Sequence, residues 1–252
     1  MTAGSEFAGG LSGAALVFVV VTAAATALGG LVLTTRARWD DTLLAYFVAL
    51  GAGFMLAAAI MRMIPVSATM TTLAPVLVLT GYLLIHLVEH TAVPHFHFGE
   101  ETHIEDIGMD VGVSALIALS IHSFFDGISI MSGFLVSPRL GLLLFLAIVL
   151  HKAPEGFTIA SIMLVAGYSR TVAQLSSVAV GAASVIGALA VFPLRGFVGE
   201  GLALSAGVTL YVAASDLIPE VNRSKAKAVA IAVFVGVLLY YLTDTVLEAL
   251  EV

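Results

Sequence analysis

Two short segments, HSFFDG at residues 122–127 and HKAPEG at 151–156, each place a histidine four residues before an acid and a glycine directly after that acid. Four-residue spacing puts both side chains of a pair on one helix face, about one turn apart. His122 with Asp126, and His151 with Glu155, therefore offer two imidazoles and two carboxylates. That set suits a tetrahedral Zn²⁺ and would accept Fe²⁺, Mn²⁺, Co²⁺ or Cd²⁺ with less discrimination. The two acids also neutralise a doubly positive ion, which matters because the flanking residues are apolar and an isolated buried ion is costly.

What surrounds these segments sets their chemistry. Of 252 residues, 60% are hydrophobic and 11% charged, and the mean hydropathy of +1.09 lies far outside the range of a water-soluble domain. The chain reads as an all-α, polytopic membrane protein. Cysteine is absent, so only imidazole, carboxylate or thioether remain as side-chain metal ligands. The ten basic residues form no patch that would track a phosphate backbone, and no nucleotide-binding motif is present, so neither nucleic acid nor nucleotide is an expected partner. The first ten residues lack the basic segment of a cleavable leader and run into an apolar stretch expected to stay as the first span.

A bilayer core of roughly 30 Å needs about 20 apolar residues per helix. That rule divides residues 1–252, taken as one transmembrane domain, into eight spans: 11–34, 42–65, 72–93, 111–135, 140–166, 172–194, 201–220 and 227–249. The breaks are short and rich in turn residues, except for PHFHFGEETHIEDIGMD at 94–110. Counted from the start of its span at ~1.5 Å per residue, each motif histidine lies about 16 Å deep, near the midplane. Spans four and five are antiparallel neighbours, so their four donors converge. Pro154 frees the carbonyl of Leu150 for the same region, and Gly127 and Gly156 permit close helix approach.

Basic residues orient the chain. Arg36, Arg38, Arg170, Arg223, Lys225 and Lys227 fall in connections after odd-numbered spans, against Arg139 and Arg195 on the other side. Both termini are then expected outside the cytoplasm, in the cell (plasma or inner) membrane, with the long His-rich loop inside. Two echoes reinforce this layout. AGFMLAAAIMRMIP (52–65) in span two matches AGVTLYVAASDLIP (206–219) in span seven when the prolines are aligned, and HSFFDG matches HKAPEG. Each pair joins an even span to an odd one, as expected of inverted repeats in a transporter.

On these residues the chain resembles the ZIP (Zrt/Irt-like protein) family of divalent metal transporters. HSFFDG and HKAPEG are similar to that family's paired motifs, and LYVAASDLIPE (210–220) is similar to its seventh-span signature. The resemblance implies an eight-helix bundle, a homodimer, and movement of Zn²⁺ or similar ions toward the cytoplasm, the metal being transported substrate rather than cofactor. It places the ligands on His122, Asp126, His151 and Glu155, with Ser123 where many members carry Asn. The chain departs from the family where some members set an acid that bridges a second metal: here stands Lys152, and span six, TVAQLSSVAVGAASVIGALAVFPL, has no acid. A two-metal centre is not expected. Lys152, three residues before Glu155, could pair with the carboxylates in the empty site and be displaced by metal; alternatively it pairs structurally or extends toward water.

Further polar residues are candidates for an exit route: His86, Glu89 and His90 at the end of span three, and Asp216 and Glu220 near the same end of span seven. A hydrated helix terminus is the competing reading of the first three. His95, His97 and His103 in the long loop could collect metal, although a solvated segment has the same composition. Arg62 could guard an entrance or pair with an acid such as Glu200. Met55, Met61, Met63 and Met70 are expected to pack rather than ligate. The rival function is an intramembrane zinc hydrolase, which needs three ligands, an open position and a separate base, and has no reason to repeat its motif on antiparallel helices. A bis-His haem site on His122 and His151 would leave the acids unexplained.

Overall fold

The computed structural model describes residues 3–35, 41–92, 109–223 and 227–250. His95, His97 and His103 lie outside the described residues, as does the side chain of Glu220. The described residues contain helix and no strand. Among the described residues eight helices are long and apolar enough to cross a membrane: Ala15–Thr35, Ala45–Met70, Ala74–Thr91, Gly112–Val136, Pro138–Val165, Arg170–Ala190, Phe192–Leu217 and Lys227–Ala249, here spans one to eight.

Local sequence accounts for the sharp ends. Ser137 caps span five, its Oγ accepting from the Leu140 N–H at 3.1 Å with Pro138 in the first turn. At the other end Gly167 adopts φ 90°. The Gly167 N–H then bonds the Leu164 carbonyl at 3.1 Å and the Tyr168 N–H bonds Met163 at 2.9 Å, which satisfies two carbonyls of the last turn. Span seven begins earlier than expected. Residues 195–200, the gap between the expected spans six (172–194) and seven (201–220), are helical, because a 3-10 turn at Phe192–Phe197 runs directly into the helix Val198–Tyr211.

Spans two and seven each contain a wide, π-helical stretch, Ala59–Met63 and Val212–Leu217. In each case the isoleucine before a proline bonds five residues back, Ile64 to Ala59 and Ile218 to Ala213. Pro65 and Pro219 lack the N–H that would bond the carbonyl four residues earlier, and their rings crowd it, so the preceding turn widens.

The helices pack in two groups. Spans one, four, five and six contact one another, while span two pairs with eight and span three with seven. Each main pairing rests on two glycines that meet the partner's backbone. Gly29 meets Ala153 and Gly156 meets Thr26 between spans one and five; Gly127 meets Ser184 and Gly187 meets Phe124 between four and six. Gly53 meets Val233 and Gly236 meets Leu50 between two and eight; Gly81 meets Leu204 and Gly207 meets Val78 between three and seven. A Cβ at any of these would fall on a carbonyl, so only glycine admits this approach. Gly127 and Gly156 thus bring in spans six and one rather than each other. The groups are joined by a buried cluster in which Leu140, Leu143, Leu144 and Ala147 of span five pack on Phe54, Met55, Leu202 and Ala206. Leucine, valine and phenylalanine side chains cover the outside of spans three and eight, as a lipid solvent requires.

Candidate metal centre

Spans four and five bring His122, Asp126, His151 and Glu155 together, one ligand atom from each lying within 4.8 Å of all the others. All four are buried, at 1–6% exposure. Asp126 is the hub: its Oδ2 lies 3.2 Å from His122 Nε2 and 3.5 Å from His151 Nε2. Gly51 of span two lies against the Cβ and backbone of His151, so span two packs on the turn that carries this donor.

The His151 ring is set by its own helix. Its Nδ1 lies 3.2 Å from the Ala147 carbonyl, which can only accept, so Nδ1 carries the proton and a neutral ring keeps its Nε2 lone pair toward the site. This is the second contact expected of a metal-binding imidazole. His122 Nδ1, His151 Nε2 and Glu155 Oε1 are buried and make no hydrogen bond. Each such atom costs on the order of 1–3 kcal/mol, and a cation among them would repay it.

Lys152 fills the centre of the charge distribution. Its fully buried ammonium lies 2.7 Å from Asp126 Oδ2 and 2.5 Å from Glu155 Oε2, and donates to Ser123 Oγ at 2.7 Å. Two of these contacts are hydrogen bonds, to Ser123 and Glu155, and the third is an ion pair with Asp126. Ser123, accepting from Lys152, has its own proton available for Ser184 Oγ of span six at 2.8 Å. Span six therefore supports the centre through a hydroxyl, having no acid to offer. With neutral imidazoles the group carries one net negative charge, two carboxylates against one ammonium.

A second polar cluster lies where spans three and seven meet. Tyr211 donates to Glu89 Oε2 at 2.9 Å, and Asp216 turns its carboxyl toward the same Glu89. Tyr82 and Ser215 share a hydrogen bond of 3.0 Å. The His86 and His90 ring centroids lie 3.9 Å apart with the planes tilted by 38°, and His86 lies 6.0 Å from the Tyr211 ring. His86, Glu89, His90 and Asp216 are thus brought into one neighbourhood. Tyr211 was not singled out in the sequence, although it stands inside LYVAASDLIPE.

Arg62 pairs with an acid, as one of its two readings has it, but that acid is Asp244 of span eight at 2.9 Å rather than Glu200, because span two packs along span eight. Arg139 bonds the same Asp244 at 2.7 Å and Glu248 at 2.9 Å. Neither acid was distinguishable from an ordinary helix end by sequence. Met55 and Met63 are buried in the apolar cluster, away from any ligand role.

Comparison with known proteins agrees with this architecture. The family model described as ZIP zinc transporter matches residues 100–244, more than half of the chain. Zinc transporter ZIP13 of Gallus gallus is 28% identical over 120 residues, covering 45% of this chain and 33% of that protein. Zinc transporter ZIP9 of Micropogonias undulatus is 27% identical over 154 residues, covering 56% of this chain and 49% of that protein. The chain thus spans between a third and a half of the length of these relatives. Eight apolar helices and a match that includes both His-acid segments place this multi-pass membrane protein in the ZIP zinc transporter family.

Proposed function

We propose that this chain carries divalent transition-metal ions, Zn²⁺ foremost, across the membrane into the cytoplasm, with His122, Asp126, His151 and Glu155 as the ligands of one ion. The observation that carries this reading is the convergence of four buried donors from two antiparallel spans, each with one buried atom that makes no hydrogen bond. Fe²⁺, Mn²⁺ and Cd²⁺ fit the same donors less selectively. The hydrolase reading finds no favouring observation. A haem between His122 and His151 is opposed by the Asp126 carboxylate, which occupies the space between the rings.

The matched glycine contacts and matched π-helical stretches support an inverted repeat, spans one to three against six to eight and span four against five. Alternating access then consists of rocking the group of spans one, four, five and six, which holds the donors, against the paired spans two, eight, three and seven. The termini face outward and the Glu89–Asp216 end faces the cytoplasm, where His86, Glu89, His90, Asp216 and Glu220 receive the leaving ion. Lys152 is the resident counter-ion of the empty site: it neutralises Asp126 and Glu155, yields to the metal, and with Ser123 keeps the site to one ion.

Uptake of radioactive zinc into proteoliposomes tests the assignment. Parent protein accumulates zinc, whereas His151→Ala and Glu155→Ala, still monodisperse and helical, do not. Undiminished uptake by both variants removes the assigned pathway.

A further inference from the structure

We propose that Arg139, with Arg62, Asp244 and Glu248, forms an ionic latch between the two groups of helices, and that its release is required to expose the central site at that end of the bundle. The proposal rests on the alternating-access reading above. Asp244 Oδ1 receives Arg62 at 2.9 Å and Arg139 at 2.7 Å, and Arg139 reaches on to Glu248 at 2.9 Å. The Arg139 and Asp244 side chains are only 16% and 20% exposed, so this is not a solvated surface pair.

The two arginines differ in what they join. Arg62 and Asp244 stand on spans two and eight, which glycines lock together, so their bond stays within one group. Arg139 stands in the first turn of span five, on the same helix as His151 and Glu155 and about 18 Å from His151 along it. Any displacement of the donor-bearing group against spans two and eight must therefore break the Arg139 bonds and spare that of Arg62. Arg62 holds Asp244 in place; Arg139 is the half that lets go. Directly behind the latch, Leu140, Leu143, Leu144 and Ala147 form a dry seal with Phe54, Met55, Leu202 and Ala206.

The opposite end of the molecule sharpens the point. Aligning the prolines sets Arg62 against Asp216, and aligning Gly236 with Gly81 sets Asp244 against Glu89, eight residues on in each span. The pair that is Arg with Asp at one end is thus Asp with Glu at the other. The HSFFDG and HKAPEG alignment likewise sets Arg139 against Asp110. Equivalent positions are oppositely charged at one end and both acidic at the other. This chain therefore holds one end shut with opposite charges where the equivalent positions of the other end are acids, which biases the resting state toward the arrangement seen here.

The absence of native cysteine permits a direct test. Ala206→Cys places one thiol in the dry seal, at a residue now fully buried and of nearly the same size. Its labelling by a membrane-impermeant methanethiosulfonate is measured in reconstituted vesicles at low and high salt. The Arg139→Gln variant should label roughly three- to tenfold faster than its parent, the loss expected for removing one partly buried and one exposed ion pair. Labelling of the parent should quicken with salt as the pairs are screened, and that of Arg139→Gln should not. Equal rates and equal salt responses in the two proteins overturn the latch. If Arg139→Gln does not fold, the parent decides: a labelling rate independent of salt overturns the proposal equally. Zinc uptake by the same vesicles separates the two readings, since salt-sensitive labelling without uptake keeps the latch and removes transport, whereas uptake with salt-insensitive labelling does the reverse.

Discussion

Replacing Lys152 by methionine, which keeps the length and apolar stem of the side chain, should make the site bind zinc more tightly and make the empty protein less stable. The ammonium lies 2.7 Å from Asp126 Oδ2 and 2.5 Å from Glu155 Oε2, and zinc would bind such oxygens at about 2.0–2.2 Å. An unmoved Lys152 would then sit about 4 Å from the ion, where charges of two and one repel by ~8 kcal/mol at an effective dielectric of about 20. Retreat to about 8 Å, toward Ser123 and Ser184, leaves ~4 kcal/mol. Movement reduces the penalty without removing it. Allowing two-thirds of the smaller figure for relaxation, Lys152→Met should bind zinc at least about tenfold more tightly. In the empty protein the substitution strips Asp126 and Glu155 of their counter-ion, and breaking a buried pair in this way costs on the order of 3–5 kcal/mol. The variant should therefore melt lower than the parent without metal and gain more from added zinc, since ligand binding stabilises by mass action. Calorimetric titration of chelator-stripped protein gives the affinity, thermal unfolding with and without zinc gives the stability, and proteoliposome uptake should show a lower KM with slower release. A folded Lys152→Met protein that binds zinc no more tightly than the parent would refute the counter-ion argument.

Other outcomes follow from the same geometry. Zinc counted by mass spectrometry after equilibrium dialysis should reach one tightly held ion per protomer, because Lys152 stands where a second ion would need an acid; two would end the mononuclear reading. Asp126→Asn removes the oxygen charge on which His122, His151 and Lys152 all converge, and zinc affinity measured by titration should fall more than about tenfold. Gly156→Ala drives a methyl group into the Thr26 backbone of span one, whereas Gly13→Ala meets nothing within 4 Å; the first should lower the unfolding temperature by an amount equivalent to at least ~1–3 kcal/mol and the second should not. Tyr211→Phe deprives buried Glu89 of its donor, costing about 1–3 kcal/mol, and in uptake assays should change turnover while leaving KM near that of the parent.

The parts of the molecule that could be read beforehand are those fixed by a short-range rule. Bilayer thickness sets span length, so eight apolar stretches were countable. Helical periodicity sets which side chains share a face, so the His-acid pairs could be assigned to one level and one site. Glycine after each acid signalled close approach, but only the structure names the partners, Ser184 and Thr26. The π-helical stretches were hidden because Pro65 and Pro219 predict a disturbed turn without saying whether it kinks, breaks or widens. The partner of Arg62 was hidden for a different reason: depth along a helix is legible from sequence, whereas the rotation of one helix against another is set by packing.

That second limit is softer than it looks, because this chain writes its helix pairings twice. Span two meets span eight through Gly53 and Gly236, and span seven meets span three through Gly207 and Gly81. Gly53 and Gly207 hold the same place relative to their Ile-Pro, and Gly236 and Gly81 stand the same number of residues before Asp244 and Glu89. A residue facing its partner in one half must therefore have an equivalent facing its partner in the other. Carried from the prolines to these glycines, the internal match sets Asp244 opposite Arg62 by the same step that sets Glu89 opposite Asp216. Arg62 bonds Asp244 at 2.9 Å, and Glu89 and Asp216 are close enough to influence each other's carboxyl. The matched positions keep their backbone contacts while charge diverges, an ion pair at one end and two acids at the other, and under the latch proposed above it is that divergence that gives the bundle a preferred direction in which to open.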